Sequence, residues 1–272
     1  MKRFALALAA VPLLLAAGAV PTAAASDAHV RLVYLSPDAG ARPVDFYLDG
    51  SRVLSNADYK TVSMYQSVPA GQHTFEIRPA GAAVSSTPTA RIQQALEASY
   101  YSVFAGGKVG DPRCGVKGVI FNDGIPSLAS GKVAARFVHM APEVPGVDVK
   151  LMDGTVLFRN VDCFQGSSYS TLPTGSYPVQ LVGVDSGKSL FTATAQLNRP
   201  GIVWTLVGIG GVGEPVSLFY VPDAASAGVV PAGGAGTGMG GAGLGGLLPL
   251  GLVAGSLMAC ALLLLLVRRA PA

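Results

Sequence analysis

Val30-Arg31-Leu32-Val33-Tyr34-Leu35-Ser36-Pro37-Asp38, followed by Pro43-Val44-Asp45-Phe46-Tyr47-Leu48-Asp49-Gly50, is the stretch on which the fold turns. Two short apolar runs are bounded by Ser, Pro, Asp and Gly, the punctuation of β-strands. Asp49-Gly50 is a hairpin signal, because both central positions of a type I′ turn need positive φ. Further on, Phe75 and Ile77 alternate with Thr74, Glu76 and Arg78, so one face meets a core and the other meets water. No segment of the surrounding 200 or so residues sustains a helical period; residues 89–98 come closest.

The stretch recurs at an offset of about 104 residues. Arg31-Leu32-Val33 meets Arg136-Phe137-Val138, and Ser36-Pro37-Asp38 meets Ala141-Pro142-Glu143. Val44-Asp45 meets Val147-Asp148, Asp49-Gly50 meets Asp153-Gly154, Asn56 meets Asn160, and Asp58 meets Asp162. Ser63 and Tyr65 meet Ser167 and Tyr169, and Pro69-Ala70-Gly71 meets Pro173-Thr174-Gly175. A period near 100 residues is too long for a solenoid unit, so each copy should be a domain. The expected fold is all-β: two tandem immunoglobulin-like β-sandwich domains, residues 26–130 and 131–223.

Residues 33–38, 43–50 and 68–71, with counterparts at 138–143, 147–154 and 172–175, resemble the bacterial family called domain of unknown function 4397. The resemblance covers most of the body and implies exported β-sandwich modules of the cell envelope. It brings no activity, cofactor or catalytic residue with it.

The ends carry the address. Lys2 and Arg3, an apolar run to about residue 20 and the small residues Ala23, Ala24 and Ala25 make up a secretory signal peptide, residues 1–25. Residues 224–243 are rich in Gly and Ala and read as a spacer. Residues 244–267 hold no charge; as a helix they span about 36 Å, enough for a ~30 Å hydrocarbon core. Arg268 and Arg269 follow, which places residues 268–272 in the cytoplasm and the body outside. No L-P-x-T-G motif precedes this run. Spacer and arginine-ended tail resemble those of actinobacterial surface proteins. Four of the 19 basic residues lie in these ends, leaving 15 against 16 acidic ones in the body. The basic pI is thus a property of the ends, and no nucleic-acid partner is expected.

Few residues suggest chemistry. Cys114 and Cys163 are the two cysteines of the body, and export permits oxidation, so a structural disulfide stapling the two modules is expected; Cys260 lies in the apolar tail. Gly208-Ile209-Gly210-Gly211-Val212-Gly213 spells G-x-G-x-x-G, but Glu214-Pro215 and a strand-like run follow in place of a helix, so a hairpin loop is expected. His29, His73 and His139 show no metal spacing, and the repeat exchanges His139 with Tyr34 and His73 with Tyr177, which marks them as large half-buried rings. Asp45/Asp148 and Asp58/Asp162 recur, either as loop-end ligands for a cation or, the favoured reading, as turn-capping groups. No catalytic, cofactor-binding or metal-binding residue is assigned.

The function expected is that of a non-enzymatic, membrane-tethered, extracytoplasmic binding or structural element, with an envelope polymer or surface protein as its partner. A carbohydrate- or envelope-polymer-binding module, stacking sugars on Tyr59, Tyr65 and Tyr169, is the alternative. A hydrolase working through paired carboxylates is a further one.

Overall fold

The computed structural model describes residues 26–124 and 126–223. The signal peptide, spacer, membrane helix and tail expected from the sequence lie outside the described residues. No helix among the described residues is long and apolar enough to cross a membrane.

The first half is built from β1 (Ala28–Tyr34), β2 (Val44–Leu48), β3 (Ser51–Ala57), β4 (Thr61–Val62), β5 (Gln66–Val68), β6 (Gly71–Pro79), β7 (Ala90–Leu96), β8 (Tyr100–Gly106) and β9 (Lys117–Asn122). The second half follows with β10 (Lys132–His139), β11 (Val147–Leu151), β12 (Val156–Val161), β13 (Ser170–Pro173), β14 (Gly175–Gly183), β15 (Ser189–Leu197), β16 (Val203–Gly211) and β17 (Glu214–Pro222). The single 3-10 turn among the described residues, Ala39–Ala41, is capped by the Asp38 carboxylate accepting from Gly40 N at 2.8 Å.

Each half is a two-sheet sandwich, and the two share one strand order. In the first, β4-β1-β8-β9 (with β5 also on β1) faces β3-β2-β6-β7; in the second, β13-β10-β16-β17 faces β12-β11-β14-β15. In both, the first strand pairs in parallel with the second-to-last, β1 with β8 and β10 with β16. The sandwich expectation holds, while the order departs from the immunoglobulin one. There the first two strands share a sheet; here β1 and β2 lie in opposite sheets. Residues 89–98, the most helix-like by sequence, contain β7, held by its pairing with β6.

The two sandwiches pack through a third core. Val30, Leu32 and Tyr34 of β1 point into the first sandwich with Phe46, Phe75 and Val103. Because side chains alternate along a strand, Val33 points the other way. It joins Leu35, Phe104, Val138, Met140, Val207 and Ile209 between the halves. Sheets β4-β1-β8-β9 and β13-β10-β16-β17 are thus the inner layers of four, each covered on both faces. That explains why the residues around Arg31 in β1 and Arg136 in β10 are apolar on both faces, without alternation.

The first Asp-Gly pair forms the two-residue turn its letters signal, whereas Asp153-Gly154 lies in a longer connection between Leu151 and Val156 in which only Gly154 has positive φ. Asp49 and Gly50 both have positive φ, 49° and 80°, as a two-residue type I′ turn between β2 and β3 requires.

Candidate functional site

The densest set of polar side chains lies in the interface between the sandwiches, at the end where β1, β8 and β10 begin. Arg31 on β1 donates Nε–H to Ser102 Oγ (2.7 Å) and Nη1–H to the Pro222 carbonyl (2.6 Å), and pairs with Asp223. Arg136 on β10 makes the same set toward the other half. Its Nε–H goes to Thr205 Oγ1 (2.8 Å) and its Nη1–H to the Asn122 carbonyl (2.9 Å), and it pairs with Asp123. Asp123 Oδ2 also accepts from Ser102 (2.6 Å) and Tyr65 (2.8 Å); Asp223 Oδ2 accepts from Thr205 and Tyr169, both at 2.7 Å. Each guanidinium lies over a tyrosine of its own half, Arg31 on Tyr65 and Arg136 on Tyr169, with 4.8 Å from Cζ to each ring centroid.

Every contact in this set has a counterpart under exchange of the halves. The interface is therefore a pseudo-two-fold one, of the kind found between identical subunits. Arg31, Asp123, Arg136 and Asp223 are all buried, and two positive charges balance two negative ones. Burial alone would lower the affinity of both guanidinium groups for their protons; the neighbouring carboxylates outweigh it and hold both above the ordinary arginine value. Burial pushes the Tyr65 and Tyr169 hydroxyls up as well, and the adjacent carboxylates add to the shift. Both phenols stay protonated and donate.

The opposite end of the same interface is closed covalently. Cys114, in the loop between β8 and β9, and Cys163, beyond β12, form a disulfide with Cα atoms 5.9 Å apart, inside the range such bonds need. It joins the two halves, as expected from the sequence. Lys108 pairs with Glu143 nearby, and Arg113 donates to the Val144 carbonyl at 3.1 Å.

The remaining marked residues take structural places. Asp45 Oδ1 accepts from Asn56 N (2.8 Å) and Asp148 Oδ1 from Asn160 N (2.9 Å). Both asparagines are left-handed, with φ of 52° and 46°, where the strand register shifts. Asp58 and Asp162 accept from the next residue's amide, Tyr59 N at 2.7 Å and Cys163 N at 2.8 Å. The favoured turn-chemistry reading of these four aspartates is the one the geometry gives. Among the described residues no group of three or more His, Cys, Asp or Glu is placed to hold a metal.

The His–Tyr exchanges acquire a reason. Tyr34 donates to the Ala41 carbonyl, and His139 Nε2 lies 3.0 Å from the Pro145 carbonyl, so both tie the loop after the first strand of their half. His73 Nε2 lies 2.7 Å from the Pro69 carbonyl, and Tyr177 donates to Pro173 O at 2.6 Å, the equivalent turn. His139 and Tyr34 are fully buried, more than the half-buried rings expected. His29 stacks on Tyr100, ring centroids 4.6 Å apart.

The G-x-G-x-x-G stretch is the β16–β17 hairpin, as its sequence context suggested. Gly210 has a φ of 118°, and a Cβ on it would stand 2.5 Å from the Pro215 carbonyl oxygen; Gly107, with φ 104°, would meet Gly115 O at the same distance. Backbone proximity therefore accounts for Gly107 and Gly210.

The sugar platform does not form as expected. Tyr65 and Tyr169 are committed to the interface through hydroxyl and ring face, and Tyr59 packs against the third core. A small cavity inside the second sandwich is lined by apolar side chains, among them Phe137, Phe158, Leu206 and Leu218, together with Tyr177.

Sequence reasoning passed over Asp123, Asp223 and the part played by Arg31 and Arg136. The signal was present: an arginine interrupts the same apolar run in both copies, Arg31 before Leu32-Val33 and Arg136 before Phe137-Val138, where a solvent-facing charge should not recur unless it is paired.

Taken together, fold and site define an all-β body of two like sandwiches, clamped by a buried ion network and a disulfide. Residues 28–150 match the family described as Domain of unknown function (DUF4397), a span that covers the first sandwich and reaches into β11. No sequence relative is found among curated proteins. Among solved structures, the fimbrial anchor protein Mfa2 from Porphyromonas gingivalis aligns at 8% identity over 72% of this chain and 97% of that one, with a TM-score of 0.19. A score that low carries no argument.

Proposed function

We propose that the chain is a non-enzymatic binding or structural element of the cell surface, exported and held to the membrane by residues 244–267. Its body is two copies of the domain that the family match finds once. The common strand order and the pseudo-two-fold contact set support the second copy. The observation that carries the non-enzymatic reading is the state of Asp123 and Asp223. These convergent carboxylates are the pair a hydrolase would need, and each is buried, saturated by donors and neutralised by an arginine. A body clamped at both ends of its interface is suited to present its loops at a fixed spacing.

The decisive experiment is a binding screen of the body, residues 26–223, against envelope polymers and intact cell surfaces, paired with fractionation of the full chain. Saturable binding with the chain in the membrane fraction supports the reading. Turnover of a glycan or ester by the body, abolished by Asp123→Asn, overturns it.

A further inference from the structure

The docking face is complementary to itself. Arg31, Ser102 and Asp123 present on one half what Arg136, Thr205 and Asp223 present on the other, and each arginine reaches across to the other half's aspartate. Nothing in this chemistry requires the two faces to belong to one molecule. Tethering by one segment would concentrate neighbouring chains in a plane, which favours pairing between them.

The disulfide breaks the symmetry. Aligning the halves puts Tyr59 at the place of Cys163, next to Asp58 and Asp162 respectively. A pairing of two first halves would set Cys114 against Tyr59, and no bond could form. Only a first half on a second half brings Cys114 to Cys163.

We propose that this face takes a second copy of the chain, the first half of one molecule docking on the second half of another, and that the Cys114–Cys163 bond fixes whether a pair is closed within one chain or shared between two. The bond forms by thiol–disulfide exchange with a small disulfide oxidant. Both cysteine thiols lose their protons, the pair gives up two electrons, and the oxidant leaves as two thiols.

The test co-expresses two full-length chains, one Cys114→Ser and one Cys163→Ser, both also Cys260→Ser. Neither can close its own bond. Exchange predicts a covalent dimer on non-reducing gels, with a Cys114–Cys163 link by mass spectrometry, absent when either chain is expressed alone. Two accumulating, protease-resistant chains without that dimer overturn the proposal, as does a dimer equally abundant in the single expressions. If the variants fail to accumulate, differently tagged Cys260→Ser chains, both keeping Cys114 and Cys163, are reduced, denatured and refolded together with oxidised glutathione. Mixed-tag covalent dimers that increase with protein concentration support exchange, and monomers at every concentration overturn it.

Discussion

Arg136 and Asp123 show what a buried charge demands. Removing one partner of a buried pair costs about 3–5 kcal/mol, because the other charge is left without its counterion. Arg136→Met should lower the urea-unfolding free energy of the body by that amount, whereas exposed Arg159→Met should change it by under about 0.5 kcal/mol. His73 makes a different prediction. Burial alone would depress its pKa, but hydrogen bonds to Asp49 and to the Pro69 carbonyl, with the Asp49 charge, leave it raised. Both ring nitrogens face oxygen, so the imidazolium is the form that fits. A raised folded-state pKa adds stability that is complete below about pH 6.5 and is lost as pH rises through the folded value. The melting temperature should therefore fall as pH rises above about 6.5, and His73→Gln should flatten that slope. At this scale the sequence was readable where a role is local, as at Asp45 and Asn56. It was silent where partners lie far apart in the chain, as with Arg31 and Asp223.

Strands and turns were the most legible level. Asp49-Gly50 marks its hairpin because type I′ geometry needs positive φ twice, and that demand is written in two adjacent letters. The Gly-rich stretches say less from sequence, since glycine serves both phosphate loops and crowded hairpins; only the carbonyls facing Gly107 and Gly210 decide between them. Gly107→Ala and Gly210→Ala should each destabilise by about 1–3 kcal/mol through backbone strain. Gly50→Ala, with open space around its would-be Cβ, should cost about 1 kcal/mol. Thermal unfolding of the three variants ranks them. The parallel pairing of β1 with β8 could not be read, because an apolar strand carries no mark of its partner's direction.

For the molecule as a whole, the repeat announced two like halves, but an internal repeat does not say whether its copies touch. The third core makes them one body, and calorimetry should show a single cooperative transition for residues 26–223. Replacing both Cys114 and Cys163 by Ser should remove about 4 kcal/mol in the chain-entropy model while leaving one transition; two resolved transitions would show that the halves unfold independently. The way the strands run has a mechanical consequence. Asp123 N donates to Tyr100 O and Asp223 N to Val203 O, so each half's chain enters and leaves at the same end, beside the ion network. The loops near Cys114 and Cys163 stand at the far end. A load applied between those loops and Asp223 runs along β17, antiparallel to β16. It strains the ladder's hydrogen bonds together, in shear, and does not peel them one by one. Such a body resists pulling from its tip most strongly along the axis on which a tether at residue 223 would hold it.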